Sequence, residues 1–261
     1  MILKKLSAKF LLSFVTIWAL VTAAQAHDAP RPPLSLAPLR ESAPVTLDGQ
    51  LAPVAARYAV TIERATAGSS RVKPQQHTWY FYRDAARIAL LKGSVNEVWF
   101  RDAQQRVSFE RVFHDDERVV DYSTGELATL NVKVDWVALS TFVDPSELAQ
   151  LKLVSKQGNG KDARLQLRGQ LGQELLTVDW LPGLQLPQRL TRQTKGGTIV
   201  RMVMLESAPS PLPNWPEIGV KSANYLHLDA ADFGDMDYDP VVRKSEALDT
   251  RLGWRASHKH D

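Results

Sequence analysis

The sequence predicts a mainly β protein: a curved, half-barrel-like antiparallel sheet with two short helices on its concave side and a C-terminal extension. Short runs rich in β-branched and aromatic residues follow one another along the middle of the chain. The turns between them are too short to hold crossover helices, so neighbouring strands should be antiparallel. A single interruption midway has helical spacing.

The first 26 residues have the three parts of a secretory signal. Lys4, Lys5 and Lys9 precede a short apolar run, and Ala24-Gln25-Ala26 follows it. The apolar run is too short for a comfortable membrane span, which favours cleavage over an uncleaved anchor. The sequence therefore predicts a signal peptide over residues 1–26 and a mature protein that lies in the periplasm and does not span a membrane.

The charge balance and the absence of cysteine exclude several classes of function. Three of the 32 Lys and Arg residues lie in the signal, and the others balance the 29 acids. A chain without a basic surplus is not expected to bind nucleic acid, because phosphate binding needs one. Without cysteine there is no thiolate zinc site, no thiol nucleophile and no lipidated N-terminal cysteine.

Composition divides the mature chain into three parts. Residues 27–56 are a Pro/Ala-rich lead-in with one candidate edge strand at Val45–Leu47. Residues 57–206 form the antiparallel β domain. Residues 207–261 form an acidic C-terminal extension with a short helix. The domain is predicted to contain eleven strands: Tyr58–Arg64, His77–Arg83, Arg87–Lys92, Glu97–Asp102, Arg106–His114, Arg118–Tyr122, Leu151–Lys156, Ala163–Gly169, Glu174–Leu181, Pro187–Thr194 and Thr198–Glu206.

The interruption between the sixth and seventh strands predicts two short helices. Trp136, Leu139 and Val143 are spaced for one helix face. Asp144 followed by Pro145 is typical of a second helix start, with an acidic N-cap and proline in the first turn. Both helices should lie against one face of the sheet.

Side-chain alternation indicates that both faces of the early strands are covered. Trp79 and Phe81 point to one side of their strand, and Tyr80 and Tyr82 point to the other. A sheet with one solvated face would carry polar residues on that side. The pattern fits a curved sheet whose hollow holds a helix or an apolar pocket.

In strand order, inserted helices and aromatic early strands, residues 57–207 resemble the bacterial lipoprotein-localisation carriers. The resemblance implies a fold whose hollow holds acyl chains, and a lipoprotein as a partner. It does not extend to the C-terminal extension, which has no place in that pattern.

Five aromatic residues on predicted strands are candidates for the wall of an apolar ligand pocket. The same residues would fill a closed core if the hollow contains protein side chains, which is the more frequent role of aromatics on strands. The candidates are Trp79, Phe81, Trp99, Phe109 and Trp180.

The acidic extension has most of the spacing of a calcium-binding loop, with carboxylates at Asp235, Asp237, Asp239 and Glu246. Pro240 stands where such a loop needs glycine, which argues against calcium. The alternative makes Asp239 the N-cap of a helix that runs from Pro240.

Imidazoles near the chain ends could instead bind copper. They are His27, which cleavage would leave at the N-terminus, and His258 and His260. A preorganised metal site, however, needs ligands held in place by neighbouring groups, which chain ends seldom provide. Solvent-exposed ends are therefore the more frequent interpretation.

No motif for a nucleophile, a phosphate loop or a catalytic metal is present in the sequence. The leading hypothesis is a non-enzymatic periplasmic binding or carrier protein, without a cofactor, for an apolar ligand such as an acyl chain or a lipoprotein. The alternatives are a metal-handling protein for calcium or copper, and a scaffold for envelope protein contacts. The sequence sets no oligomeric state.

Cleavage after Ala26 should leave His27 as the first residue of the mature protein, because this is the well-placed small-residue site after the apolar run. The intact mass of protein purified from the periplasm checks this. A protein that keeps residues 1–26 would contradict the predicted localisation.

Overall fold

The computed structural model describes residues 51–64, 73–219 and 222–254. Within these ranges, twelve strands form one sheet that does not close into a barrel, and the helices are few and short. The predicted mainly β class is confirmed. The candidate strand at Val45–Leu47 and most of the lead-in lie outside the described residues.

The elements follow one another as two groups of strands around a helical insertion, with a C-terminal strand and helix. The first group contains β1 (Val54–Glu63), β2 (Gln75–Arg83), β3 (Arg87–Leu91), β4 (Val95–Arg101), β5 (Val107–Phe113) and β6 (Arg118–Tyr122). The insertion contains α1 (Thr124–Thr129), α2 (Trp136–Thr141) and α3 (Pro145–Gln150). The second group contains β7 (Lys152–Gln157), β8 (Arg164–Leu171), β9 (Glu174–Leu181), β10 (Leu186–Thr194) and β11 (Ile199–Ala208). The chain continues to β12 (Leu226–Asp229) and α4 (Pro240–Leu252).

Each group of strands is an antiparallel meander, and β1 joins the two by pairing with both β2 and β11. The strand order is β12-β6-β5-β4-β3-β2-β1-β11-β10-β9-β8-β7. All eleven predicted strands are present, and β12 was not predicted. It adds to the edge of β6 in the parallel direction.

The predicted boundaries of the β domain need a correction. Strand β1 begins at Val54 rather than after residue 56, and β11 continues to Ala208 rather than ending at 206. Residues Val54, Ala55 and Ala56 are buried and pair with β2. Their small apolar side chains resemble the Pro/Ala-rich lead-in in composition, which concealed the strand.

Both predicted helices are present, the second with its predicted start, but α2 ends at Thr141 and leaves Val143 beyond the helix because Phe142 adopts a left-handed conformation. The Asp135 carboxylate caps α2 and the Asp144 carboxylate caps α3, which has Pro145 in its first turn. Helix α1 was not predicted, although its signal is present: Ser123 and Glu126 form a capping box.

Both faces of the sheet carry buried side chains, as the alternation in β2 predicted. We call the face with Trp79 and Phe81 the first face and the face with Tyr80 and Tyr82 the second face. Residues of the helical insertion and of α4 pack into the first-face core. The second-face core is smaller and is closed by Trp215 from the segment that follows β11.

The C-terminal extension is an integral part of the fold and not an appendage to it. After Trp215 it passes the sheet edge as β12 and returns on the first face, where Val242 and Trp254 join the core. Its predicted helix is present, with the Asp239 carboxylate as N-cap and Gly253, at φ 73°, as C-cap. The boundary drawn at residue 207 therefore separates parts that pack together.

A buried ion pair fastens α4 to the sheet. The Arg111 side chain on β5 is completely buried, and its Nη1 donates to Asp249 Oδ1 over 2.7 Å and to Ser245 Oγ over 2.9 Å. The Tyr122 hydroxyl donates to Asp249 Oδ2 over 2.9 Å. The guanidinium also lies 5.5 Å from the centre of the Trp254 ring.

A second buried cation, Arg83, holds three parts of the chain together through backbone carbonyls. Its guanidinium donates to Ala52 O over 3.1 Å, to Ser140 O over 2.6 Å and to Leu184 O. Burial lowers the pKa of Arg83 to about 10. This side chain fixes the start of β1, the end of α2 and the β9–β10 turn relative to one another.

Replacing Asp249 by alanine should lower the free energy of unfolding by about 3–5 kcal/mol, because Arg111 would remain buried without its counter-ion. Lys244→Ala is the matched control: it removes an ion pair from the same helix, but the pair with Asp116 is largely exposed and should contribute at most about 1 kcal/mol. Urea unfolding of both variants checks this. Equal, small losses would show that the buried pair does not fasten α4.

Candidate ligand-binding cavity

A cavity of about 860 Å³ lies on the second face, between strands β2–β5 and the segment from Pro213 to Tyr225. This volume lies in the range of small-molecule sites. The lining residues combine apolar, aromatic and uncharged polar side chains with two acids: Thr78, Tyr80, Leu91, Gly93, Ser94, Asn96, Val98, Val112, His114, Asp115, Pro213, Asn214, Trp215, Pro216, Glu217, Gly219, Ser222 and Tyr225.

Strand register builds the floor of the cavity. Tyr80 on β2 pairs with Leu91, Leu91 with Asn96, and Asn96 with Val112. Residues in register on neighbouring strands share a face, so these four side chains form one row across the sheet. Val98 lies two residues along β4, on the same face.

Trp215 forms the roof and is held by two tyrosines. Its ring centroid lies 5.6 Å from that of Tyr80 and 6.3 Å from that of Tyr82. The Tyr82 hydroxyl donates to the carbonyl oxygen of Pro216 over 2.8 Å, and burial, with Tyr80 nearby, raises the pKa of Tyr82 to about 12. The roof is therefore anchored directly to β2.

The indole N–H of Trp215 is buried and has no hydrogen-bond acceptor among the described residues. A buried donor without a partner is costly, and native proteins satisfy most such groups. Trp215 itself is one of the residues that line the cavity.

Asn96, His114 and Tyr225 form a hydrogen-bonded polar end. The Lys92 amide donates to Asn96 Oδ1 over 2.9 Å, which turns the Asn96 amide nitrogen towards His114 Nε2 at 2.6 Å. Nε2 must then accept, so the ring proton resides on Nδ1 and is donated to the Tyr225 oxygen over 3.1 Å. This network fixes the orientation of the imidazole at the end of the cavity.

The charged side chains of the cavity wall are acidic. Asp115 follows β5 and Glu217 belongs to the roof segment; no Lys or Arg is found among the described residues of the lining. Glu110 adjoins the floor as the cross-strand partner of Val98. Burial, and secondarily the neighbouring Asp121, raises the pKa of Glu110, although His227 acts in the opposite direction.

The five aromatic residues predicted for a ligand wall lie elsewhere. Trp79, Phe81, Trp99, Phe109 and Trp180 are each at most 7% exposed, belong to the first-face core, and are absent from the cavity lining. Phe142 after α2 packs on Phe81, and Trp254 after α4 packs on Trp99 and Phe109. The structure thus places them in the core, the alternative that the sequence left open. The signal that pointed to the cavity was the opposite-face residue Tyr80.

The four acids of the candidate calcium loop do not converge on a common point. Asp239 caps α4, accepting from the amide of Val241 over 2.7 Å. In residues 51–64, 73–219 and 222–254, no group of three or more His, Asp or Glu side chains is placed to hold a metal ion, which leaves Asp235, Asp237 and Glu246 without a shared site. His27, His258 and His260 lie outside the described residues.

Comparisons with known proteins find little. No family model matches the chain, and no curated protein matches it. Among solved structures, PNGF-II is similar in two crystal forms, with 12% identity and TM-scores of 0.36 and 0.34 over 71% and 70% of this chain and 33% of PNGF-II. MucB is similar with 12% identity and a TM-score of 0.32 over 65% of this chain and 58% of MucB. In the part that the structure describes, no helix is long and apolar enough to cross a membrane.

Replacing Glu110 by glutamine should raise the free energy of unfolding, relative to wild type, by more at neutral pH than at acidic pH. The pKa of Glu110 is raised in the folded protein, so its contribution to stability is present at low pH and is lost as the pH rises through the folded pKa. The glutamine variant lacks this loss. Urea unfolding of wild type and variant from pH 4 to pH 7 measures the difference, and a difference that shrinks as the pH rises would contradict the assignment.

Proposed function

We propose that this protein is a non-enzymatic periplasmic binding protein that carries a small amphiphile in the cavity of the second face. The observation that supports this most directly is the cavity itself, about 860 Å³ in volume and lined by aromatic and aliphatic side chains with a polar end. Sites for small molecules are typically concave and mostly apolar, with a few placed polar groups.

The two ends of the cavity suit the two parts of an amphiphile. Leu91, Val98 and Val112 offer apolar surface to a hydrocarbon body. Asn96, His114 and Tyr225 offer polar groups to an ester, amide or hydroxyl oxygen. A ligand with both parts would contact this polar end and displace water from the apolar surface at once.

The polar network favours binding over catalysis. His114 is the ionisable group best suited to proton transfer in the cavity wall. Its Nε2 accepts from Asn96 and its Nδ1 donates to Tyr225, so both ring nitrogens are engaged. An imidazole held at both nitrogens has a fixed orientation, which suits recognition of a ligand.

The proposal keeps the cargo that the sequence suggested and moves its site. An acyl chain attached to a head group or to a lipoprotein would enter between the β3–β4 hairpin and the Trp215 segment. A lipoprotein-localisation carrier would hold its cargo against the first face. In this chain, side chains of the helical insertion and of α4 fill that face.

An uncharged apolar probe, N-phenyl-1-naphthylamine, should bind the folded protein with an increase in its fluorescence. Trp215→Ala should weaken binding about tenfold, a loss of about 1.4 kcal/mol, because the aromatic roof of the cavity is removed. Thr78→Trp should weaken it too, since Thr78 is an exposed lining residue and tryptophan there would occupy the cavity. Fluorescence titration measures both.

The matched control is Trp99→Phe, which changes a tryptophan in the first-face core. It should lower stability without weakening probe binding, and thermal unfolding confirms that each variant is folded. A wild-type protein that does not bind the probe, or a Trp99→Phe protein that loses binding as Trp215→Ala does, would overturn the proposed function.

A further inference from the structure

We infer that the cavity selects an amphiphile with a positively charged head group, an amine or a quaternary ammonium. This inference rests on the proposed function and specifies the ligand of the same site. It is supported by the carboxylates and aromatic rings of the cavity lining, and by the ion pairs that two nearby lysines form with other acids.

The two charged residues of the described lining stand on opposite walls of the cavity. Asp115 extends the floor side after β5, and Glu217 extends the roof side after Trp215. Both are exposed at the cavity rim. Carboxylates on two walls of one cleft concentrate a negative potential between them, which attracts cations and repels anions.

Two lysines near the cavity, Lys92 and Lys244, pair with acids outside its lining. Lys92 lies next to the lining residues Leu91 and Gly93 in sequence, yet its Nζ pairs with Glu97 over 2.7 Å and lies 5.6 Å from the centre of the Trp79 ring, on the first face. Lys244 pairs with Asp116 over 2.7 Å, although Asp116 follows the lining residue Asp115. These ion pairs leave the carboxylates of the lining without those two cations.

The negative character continues along the floor. Glu110 is the cross-strand partner of Val98, and Asp121 is the cross-strand partner of Glu110. A basic group beside this acidic pair is His227, whose Nδ1 lies 2.7 Å from Asp121 Oδ2. Both acids lie beside the floor and outside the described lining, so they add to the negative potential there without contacting a ligand.

Aromatic rings add an attraction that only a cation can use. Tyr80 and Tyr225 line the cavity and are half-buried, so part of each ring remains accessible. The face of an aromatic ring attracts ammonium groups, and quaternary ammonium ligands are commonly bound among such rings. Carboxylates and rings together therefore favour an ammonium head over a neutral one, and a neutral one over an anion.

Three ligands with the same twelve-carbon chain test this: dodecyltrimethylammonium, dodecyl glucoside and dodecanoate, each below its critical micelle concentration. Isothermal titration should give the lowest Kd for the cation, about tenfold below that of the glucoside, and the highest for dodecanoate. Raising the salt concentration should reduce the difference, because the rim carboxylates are exposed.

Glu217→Gln should weaken binding of the cation severalfold and leave binding of the glucoside unchanged. Asp162→Asn is the matched control, since Asp162 is an exposed acid outside the cavity lining and should change neither. Equal affinities for all three ligands, or a Glu217→Gln effect shared by the glucoside, would overturn the inference and leave the proposed function standing. Absence of binding by all three would overturn both.

Discussion

An open sheet with apolar side chains on both faces needs other parts of the chain to cover each face. The rest of this structure depends on that constraint. Neither meander can bury both of its faces alone. The helical insertion covers part of the first face, and the chain after β11 supplies the remainder. It closes the second face with Trp215, passes the sheet edge as β12 and covers the first face with α4.

Helices cover the first face and an irregular segment covers the second face. This difference explains why the cavity lies on the second face. The first face is sealed by helices and by the Arg111–Asp249 pair, whose partners are buried and lie far apart in the sequence. The second face is closed by an irregular segment that Tyr82 holds at Pro216. An irregular segment presents fewer apolar side chains than a helix, so it leaves a space above Leu91 and Asn96 that the described residues do not fill.

Most of the fold could be predicted from local patterns in the sequence. Alternation and turn residues predicted eleven strands, and Asp144-Pro145 and Asp239-Pro240 predicted two helix starts. Strand β12 was not predicted because it has only four residues, pairs in the parallel direction and has no turn residues beside it to mark it in the sequence. The candidate site was not predicted for a related reason. The sequence showed that Trp79 and Tyr80 lie on opposite faces of the sheet, but it did not show which face the distant helices would cover. That depends on contacts such as Trp99 with Trp254, which no local pattern reports.

The central claim is that the first face is a filled core and the second face holds the ligand. Hydrogen–deuterium exchange of the intact protein, with and without dodecyl glucoside, tests it most directly, because bound ligand slows local opening where it binds. The account predicts slower exchange in residues 91–98 and 212–219, and no change in residues 136–151 of the helical insertion. Protection that is confined to residues 136–151 would place the ligand against the first face and contradict the account.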